Sequence, residues 1–226
     1  MAKDFKEQRD RVIDALIAQG ILCSPSVISA MRAVPREEFI PKNLRDYAYV
    51  DTPLPIGYGQ TISAIHMVAM MCEALDLKPG HKVLEVGAGS GYHAAVVAEI
   101  VAPKGASELG HVYTIEVVPK LVEFARSNLE RAGYGSRVTV CYGDGSKGHP
   151  SAAPYDRVFV TAAAPSIPNP LIEQLKPGGL LVIPVGGLHL FQSLLLVEKG
   201  LNGKTSVKNL GGVAFVPLVG EYGWKP

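Results

Sequence analysis

Residues 82–92 read Lys82-Val83-Leu84-Glu85-Val86-Gly87-Ala88-Gly89-Ser90-Gly91-Tyr92, an apolar run with one acidic residue that then breaks into alternating glycines. A helix-like segment, Tyr92–Val101, follows directly. This order predicts a buried parallel strand, a tight turn and a helix, with a turn whose backbone can approach a ligand closely. A nucleotide-like cofactor is the natural ligand of such a loop, and a purely structural glycine-rich turn is the alternative.

The spacing of the glycines separates two classes of cofactor. Dinucleotide-binding loops follow G-x-G-x-x-G, in which the third glycine lets the helix pack on the strand. Tyr92 stands at that third position, which disfavours an NAD-dependent oxidoreductase. The form Glu-x-Gly-x-Gly-x-Gly resembles instead the first motif of the Rossmann-like methyltransferases that use S-adenosylmethionine. That resemblance implies cofactor contacts at Glu85, Gly87 and Gly89.

Two more polar groups end predicted strands at the spacing of βα units. The apolar run His111–Ile115 ends at Glu116, whose carboxylate can accept both hydroxyls of a ribose. A third run, Arg137–Tyr142, ends in the turn Gly143-Asp144-Gly145. In the fold that the resemblance implies, the loop at this place meets an adenine amino group with a carboxylate, which assigns Gly143 and Asp144 to the cofactor. A solvated glutamate and a plain turn are the respective alternatives. Taken together, the three strand ends predict an adenosyl site.

Length and composition predict one domain in the cytoplasm. The chain has 226 residues, 47% of them hydrophobic, enough for one good core. No apolar run reaches the roughly 18 residues that cross a bilayer, and the charged N-terminus lacks the apolar segment of a signal peptide. The three cysteines are odd in number and far apart, which favours reduced thiols. We therefore expect a cytoplasmic, monomeric protein that does not bind a membrane.

Charge and histidine patterns argue against two other kinds of site. The formal net charge is +1 and no run of Lys or Arg stands out, so we expect no nucleic-acid partner. The six histidines show no H-E-x-x-H or paired spacing, so we expect no metal site.

Apolar periodicity divides the chain into a helical and loop extension (1–78) and an α/β core (79–226). The resemblance implies that these form one methyltransferase domain, with the extension contributing to the active site. The extension should hold helices at Lys3–Gln19, from Ser24-Pro25 onward and at Ala64–Leu75, with an ordered loop region over Val34–Ser63. In the core, strand and helix alternate as in a doubly wound, mostly parallel sheet. The remaining predicted strands are Asp156–Thr161, Gly178–Val185 and an antiparallel edge pair, Leu190–Glu198 with Thr205–Val216.

The segment before the glycine loop makes the resemblance specific. Gly57-Tyr58-Gly59-Gln60-Thr61-Ile62-Ser63-Ala64-Ile65-His66-Met67 is similar to the signature of the protein-L-isoaspartate O-methyltransferases. Other motifs of that family follow in order between Val34 and Leu218. They are Val34–Pro41, Pro154–Asp156, Thr161–Pro165, Gln174–Gly179, Ile183–Gly186 and Phe215–Leu218. The likeness covers most of the chain and implies a Rossmann-like methyltransferase fold with S-adenosylmethionine as cofactor.

The resemblance also implies roles for the signature. Ser63 would aim the substrate carboxylate through its hydroxyl, and capping the next helix is the alternative role for that side chain. Thr61, Ile62 and His66 would position substrate or cofactor. The chain departs from the family pattern at Ile65, where proline is usual, and at Val219, where some members carry threonine. The tail Gly220–Trp224 would either cover the site or simply pack on the core.

The function implied is protein repair. A methyl group would pass from S-adenosylmethionine to the free α-carboxyl of L-isoaspartyl residues in damaged proteins and peptides. The small, apolar run Thr161–Pro165 after the fourth core strand fits a backbone-like substrate held in extended form. Two alternatives stay open: an O-methyltransferase for a small carboxylate or hydroxyl metabolite, and a non-catalytic adenosyl-binding scaffold.

Overall fold

The computed structural model describes residues 4–106, 109–188 and 191–225. Its helices are α1 Phe5–Ala18, α2 Pro25–Ala33, α3 Ile65–Ala74, α4 Tyr92–Val101, α5 Pro119–Arg131 and α6 Asn169–Glu173. Its strands are β1 Leu54–Gly57, β2 Gln60–Ile62, β3 Lys82–Val86, β4 His111–Glu116, β5 Val138–Tyr142, β6 Tyr155–Val160, β7 Leu175–Gly186, β8 Gln192–Lys199 and β9 Thr205–Val213. Four short 3-10 turns complete the described elements.

Strands β3 to β9 form one sheet in the order β5-β4-β3-β6-β7-β8-β9. The first five of these are parallel, whereas β8 and β9 add to β7 as an antiparallel edge pair. The predicted fold class is therefore confirmed. The chain winds outward from β3 in one direction and resumes at β6 in the other. This reversal opens a crevice at the carboxyl ends of β3 and β6, where open α/β sheets bind ligands.

The sequence prediction for Val34–Ser63 was wrong in part. Instead of loop alone, the segment contains two 3-10 turns and the β1–β2 hairpin. Three consecutive positive φ angles close that hairpin, at Gly57 (+94°), Tyr58 (+54°) and Gly59 (+71°). Its strands are only four and three residues long, too short for an alternating pattern to stand out.

The remaining boundaries agree within a few residues. The first helix begins at Phe5, after the cap Asp4, and the start predicted at Lys3 lies outside the described residues. Leu190, the predicted start of the edge pair, also lies outside them. Within the described ranges, the chain holds no helix both long enough and apolar enough to cross a bilayer.

One carboxylate ties the helices of the extension together. Glu73, near the end of α3, accepts the backbone N–H groups of Cys23 (2.9 Å) and Ser24 (2.8 Å) and the hydroxyl of Ser24 (2.6 Å). These donors lie at the N-terminus of α2, which favours a negative charge. Since Ser24 makes no cap bond of its own, the α2 terminus depends on a side chain from α3.

We expect Glu73→Gln to destabilise the fold by about 1.5–3 kcal/mol, because the amide loses the charge and one acceptor oxygen. Denaturant unfolding followed by circular dichroism measures this free energy. Glu123→Gln is the matched control: Glu123 is an exposed residue on α5 that pairs with Lys120, and a change there should stay within about 0.5 kcal/mol. Equal midpoints for the two variants would contradict the role given to Glu73.

Candidate functional site

A cavity of about 380 Å³ lies at the carboxyl ends of the central strands. Its walls include the glycine loop after β3, the end of β4, the segment before α3, Thr161 and Ala162 after β6, and the segment after β9. Among the predicted site residues, it is lined by Thr61, Ile62, Ser63, Glu85, Gly87, Gly89 and Glu116. We call it the inner cavity.

The glycine loop is held so closely that Gly87 leaves no room for a side chain. Its φ is +98°, and a Cβ there would lie 2.3 Å from the hydroxyl oxygen of Thr161. That hydroxyl donates to the Gly87 carbonyl at 2.7 Å, while the Gly87 N–H donates to the carbonyl of Ile115 at 2.8 Å. Thr161 therefore fixes the loop from the end of β6. Its place after a strand could have suggested this role, which the sequence reading missed.

Glu116 joins the end of β4 to this loop. Its two carboxylate oxygens accept the N–H groups of Gly89 (2.9 Å) and Val118 (3.0 Å). The residue is 6% exposed and lines the inner cavity. A carboxylate oxygen can accept more than one hydrogen bond, so both oxygens keep capacity for a ligand hydroxyl.

Glu85 lies at the buried floor of the inner cavity. The residue is fully buried, and its Oε2 accepts the hydroxyl of Thr114 at 2.5 Å. Within the described part of the chain its Oε1 has no hydrogen-bond partner. Burial raises the pKa of this carboxyl well above its ordinary value, although the Thr114 bond acts in the opposite direction and Glu116 adds to the rise. Burial thus favours the protonated form of this carboxyl.

Gly143 and Asp144 do not line the inner cavity, although the neighbouring Gly145 does. Asp144 Oδ1 accepts the N–H (3.0 Å) and hydroxyl (2.6 Å) of Ser146. Its Oδ2 accepts the N–H of Glu221 at 2.8 Å. Burial opposes the ionised form, but the bonds from Ser146 and Glu221 lower the pKa of Asp144 below its ordinary value. In this structure the carboxylate thus holds the C-terminal segment.

That attachment answers the question left open about the tail. The Tyr222 N–H donates to the Ser146 hydroxyl at 3.0 Å, and the indole of Trp224 donates to the Ala163 carbonyl at 3.1 Å. Residues 220–224 therefore pack on the core. The residues just before them, Leu218 and Val219, form a wall of the inner cavity. Val219 presents only a hydrocarbon side chain there.

A second cavity of about 480 Å³, the outer groove, adjoins the first. Both are lined by Thr61, Ser63, Thr161 and Val216. Ser63 is not the cap of α3, because Ala64 occupies that position and no side chain caps the helix. Its hydroxyl makes no hydrogen bond with any residue that the structure describes. This hydroxyl is therefore available at the junction of the two cavities.

His66 lines the outer groove and is fixed by Asp51. Asp51 Oδ1 accepts the backbone N–H of His66 at 2.9 Å, and its two oxygens each lie 3.0 Å from His66 Nδ1. These contacts leave Nε2 as the ring nitrogen for a ligand. The acidic side chain of Asp51 thus anchors the start of α3, next to Ile65, from outside the helix. Nothing in the sequence linked positions 51 and 66.

The inner cavity fits an adenosyl cofactor by its chemistry. It offers a rigid carboxylate for ribose hydroxyls at Glu116, a loop without side chains at Gly87 and Gly89, and apolar walls at Ile115 and Leu218. No cluster of three or more His, Cys, Asp or Glu side chains suited to a metal ion occurs within the described ranges.

Comparisons with known proteins point the same way. Residues 7–223 match the family model described as Protein-L-isoaspartate(D-aspartate) O-methyltransferase (PCMT). A protein-L-isoaspartate O-methyltransferase from Hyperthermus butylicus is 62% identical over 98% of this chain and 92% of its own length. One from Staphylothermus marinus is 57% identical over 100% of both chains. A Plasmodium falciparum protein assigned to the same activity, solved with S-adenosyl-L-homocysteine, is 28% identical; the match covers 93% of this chain and 98% of that one, with a TM-score of 0.83.

We expect Glu116→Ala to weaken S-adenosylmethionine binding by about 1–3 kcal/mol, because ribose hydroxyls and two loop N–H groups lose their acceptor. Titration calorimetry without peptide measures the dissociation constant. Glu123→Ala should bind like the unchanged protein, since Glu123 lies on the exposed face of α5. Unchanged affinity in Glu116→Ala would remove this residue from the cofactor site.

Glu85→Gln should stabilise the cofactor-free protein, and increasingly so as pH rises. The unfolded chain releases the Glu85 proton near pH 4.5, whereas the folded chain retains it to higher pH. A raised carboxyl pKa means that stability present below the unfolded pKa is lost as pH rises toward the folded one. Thermal melts from about pH 5 to about pH 8 should therefore diverge, with the variant more stable at the alkaline end. A difference that stays constant with pH would show that Glu85 does not titrate in this way.

Proposed function

The chain belongs to the protein-L-isoaspartate (D-aspartate) O-methyltransferase family, and we propose that it repairs damaged proteins and peptides by methylating the free α-carboxyl of their L-isoaspartyl residues. The methyl donor is S-adenosylmethionine. The ester would then collapse without the enzyme to a succinimide and return in part to normal aspartate.

The observation that carries this proposal is the junction at Ser63. The inner cavity meets the outer groove there, and the two share a wall. A methyl donor in one and an acceptor in the other would face each other across this junction. Transfer between bound groups gains most from such positioning, which can supply several kcal/mol of the barrier.

The acceptor chemistry asks little of the protein beyond alignment. S-adenosylmethionine supplies a methyl group on a positively charged sulfur, which an in-line nucleophile can take. A carboxylate is already ionised at neutral pH, so no general base is needed. Ser63 can donate one hydrogen bond to a carboxylate oxygen and leave the other oxygen free to react. Thr61 and Ile62 would position the acceptor from β2.

His66 would act from the substrate side. Because Asp51 holds Nδ1, the imidazole presents Nε2 to the outer groove, where it can bind a polar group of the substrate. We assign cofactor contacts to Glu85, Gly87, Gly89 and Glu116. Gly143 and Asp144 would act from the loop beside Gly145.

We further propose that residues 1–226 form one domain, with the extension (1–78) completing the site on the α/β core (79–226). The enzyme would work in the cytoplasm as a monomer, on isoaspartyl proteins and peptides, without nucleic-acid or membrane partners. The open outer groove supports an extended peptide over a small metabolite as the acceptor.

Radiolabelled methyl transfer to an isoaspartyl peptide, beside its twin with normal aspartate, tests the proposal. We expect label in the isoaspartyl peptide alone, released slowly as methanol when the ester collapses. Transfer to small carboxylates with both peptides inert would support the metabolite enzyme instead. Cofactor binding without transfer to any acceptor would support the scaffold.

Ser63→Ala should lower the rate of methyl transfer by roughly one to two orders of magnitude, because a hydrogen bond to a charged group is lost. Affinity for S-adenosylmethionine should stay close to that of the unchanged protein, since the bond is made with the acceptor. The melting temperature should also stay close, because the hydroxyl caps no helix and bonds no described residue.

Steady-state rates, calorimetry and a thermal melt on this variant separate the possible roles. Ser26→Ala, at an exposed position in α2, is the matched control and should leave all three unchanged. Full activity of Ser63→Ala would refute the positioning role of the hydroxyl.

A further inference from the structure

The outer groove continues past the junction as an apolar surface. Beyond Ser63 and His66 its lining includes Met67, Phe191, Val213 and Phe215. Phe191 comes just before β8, Val213 ends β9 and Phe215 follows it, so the edge pair of the sheet forms most of this outer part, and Met67 on α3 completes it. We call these four side chains the apolar rim.

Phe191 is the unusual member of the rim. Its ring is fully exposed, at 101% of the reference area, more than any other large hydrophobic side chain that the structure describes. An aromatic ring in water is a cost unless something covers it, because burying such a side chain is worth about 1.5–3 kcal/mol. Its position at a cavity mouth indicates a binding role more than a structural one.

The groove is also electrically neutral over its described lining. None of those residues is Asp, Glu, Lys or Arg, and His66 is the one titratable group. The carboxylate of Asp51, outside this lining, is engaged by His66. A charged side chain that enters this groove would lose its hydration without gaining an ion pair. An apolar side chain would lower the free energy of binding because its surface leaves water.

The far wall of the groove is held in place before any ligand binds. The side-chain amide of Gln192 donates to the Phe215 carbonyl (3.1 Å) and accepts the Phe215 N–H (2.6 Å). It thereby substitutes for a strand partner where the β8–β9 pairing ends at Val213. Because Gln192 is only 6% exposed, these bonds are shielded from water. A preformed wall lowers the ordering cost of binding.

Resting on the function proposed above, we propose that the apolar rim binds the side chain of a residue next to the isoaspartyl residue, and that it selects a large apolar side chain there. The acceptor carboxylate at Ser63 fixes one end of the peptide. Neighbouring Cα atoms lie about 3.8 Å apart, with one more backbone atom across an isoaspartyl linkage, so the adjacent residue enters the groove. The enzyme would then favour damage sites in sequences that are normally buried, which become accessible when a protein loosens.

A matched peptide series tests this preference. Isoaspartyl peptides carrying Leu, Phe, Ala, Lys or Glu are compared, with the varied residue placed first before and then after the isoaspartyl residue. On at least one side we expect kcat/KM for Leu and Phe to exceed that for Lys and Glu by about five- to tenfold, the effect of burying part of one apolar side chain. If kcat/KM is equal for all five side chains both before and after the isoaspartyl residue, and methylation is intact, the binding role of the apolar rim is overturned while the proposed function stands. No methylation of any isoaspartyl peptide would overturn the function itself.

Variants locate the preference on the rim. Phe191→Ala should reduce the ratio of kcat/KM for the Leu peptide to that for the Lys peptide severalfold. Phe191→Glu should bring this ratio near one, because the new carboxylate attracts the Lys side chain of the peptide. Leu201→Ala is the control, because Leu201 is an equally apolar, 86% exposed residue in the turn that joins β8 to β9, and it should keep the full ratio.

Sedimentation of the same proteins tests the other occupant of an exposed ring. A concentration-dependent dimer that Phe191→Ala abolishes, with the peptide ratio unchanged, would assign the rim to a second copy of this chain and overturn the proposal. A monomer with a reduced ratio would support it.

Discussion

The arrangement of the site depends on the hydrogen bonds that the Glu116 carboxylate accepts. It ends β4, and its two oxygens accept N–H groups from two loops, at Gly89 after β3 and at Val118 after β4. Backbone donors in a loop are costly to leave unpaired, so this acceptor lets the glycine loop remain open to a ligand without collapsing onto the sheet. The same carboxylate can also accept hydrogen bonds from the ligand, so one group both holds the loop in place and binds the ligand.

The glycine loop could be predicted because its signal is local. A buried strand, three glycines and a helix follow one another within twenty residues, and each residue type has a backbone reason for its place. Glu116 could be predicted for the same reason, since it directly ends an apolar run. The antiparallel edge pair followed from two β-rich runs separated by Gly200-Leu201-Asn202-Gly203. These features depend on neighbours in sequence, which is what a sequence pattern records.

The features that sequence reasoning missed all join distant segments. Asp51 contacts His66 because the β1–β2 hairpin folds the chain back. The strands of that hairpin are too short to give a recognisable pattern in the sequence. Thr161 reaches Gly87 across two strands that are neighbours only in the finished sheet. Asp144 illustrates the opposite case. Its residue type and position predict a cofactor contact, which stays a prediction, but they do not indicate that its two oxygens also accept hydrogen bonds from Ser146 and Glu221. Competition between a ligand and a remote backbone N–H cannot be read from a local motif.

The walls shared by the two cavities come from both the extension and the core. Thr61 and Ser63 come from the extension, Thr161 from the end of β6 and Val216 from the segment after β9. Buried Arg157, on β6, donates to the carbonyls of Leu75 (2.5 Å) and Asp76 (3.3 Å), and so fastens the end of the extension to the sheet. Burial lowers the pKa of this guanidinium, so these carbonyls are stabilising partners for a group that has left water. If the Arg157 bonds to Leu75 or Asp76 were lost, the extension, which carries Thr61 and Ser63 on the methyl-acceptor side, would separate from the core, which holds the methyl donor. Methyl transfer depends on the alignment of donor and acceptor. Activity should therefore be lost under conditions in which the cofactor cavity is still intact.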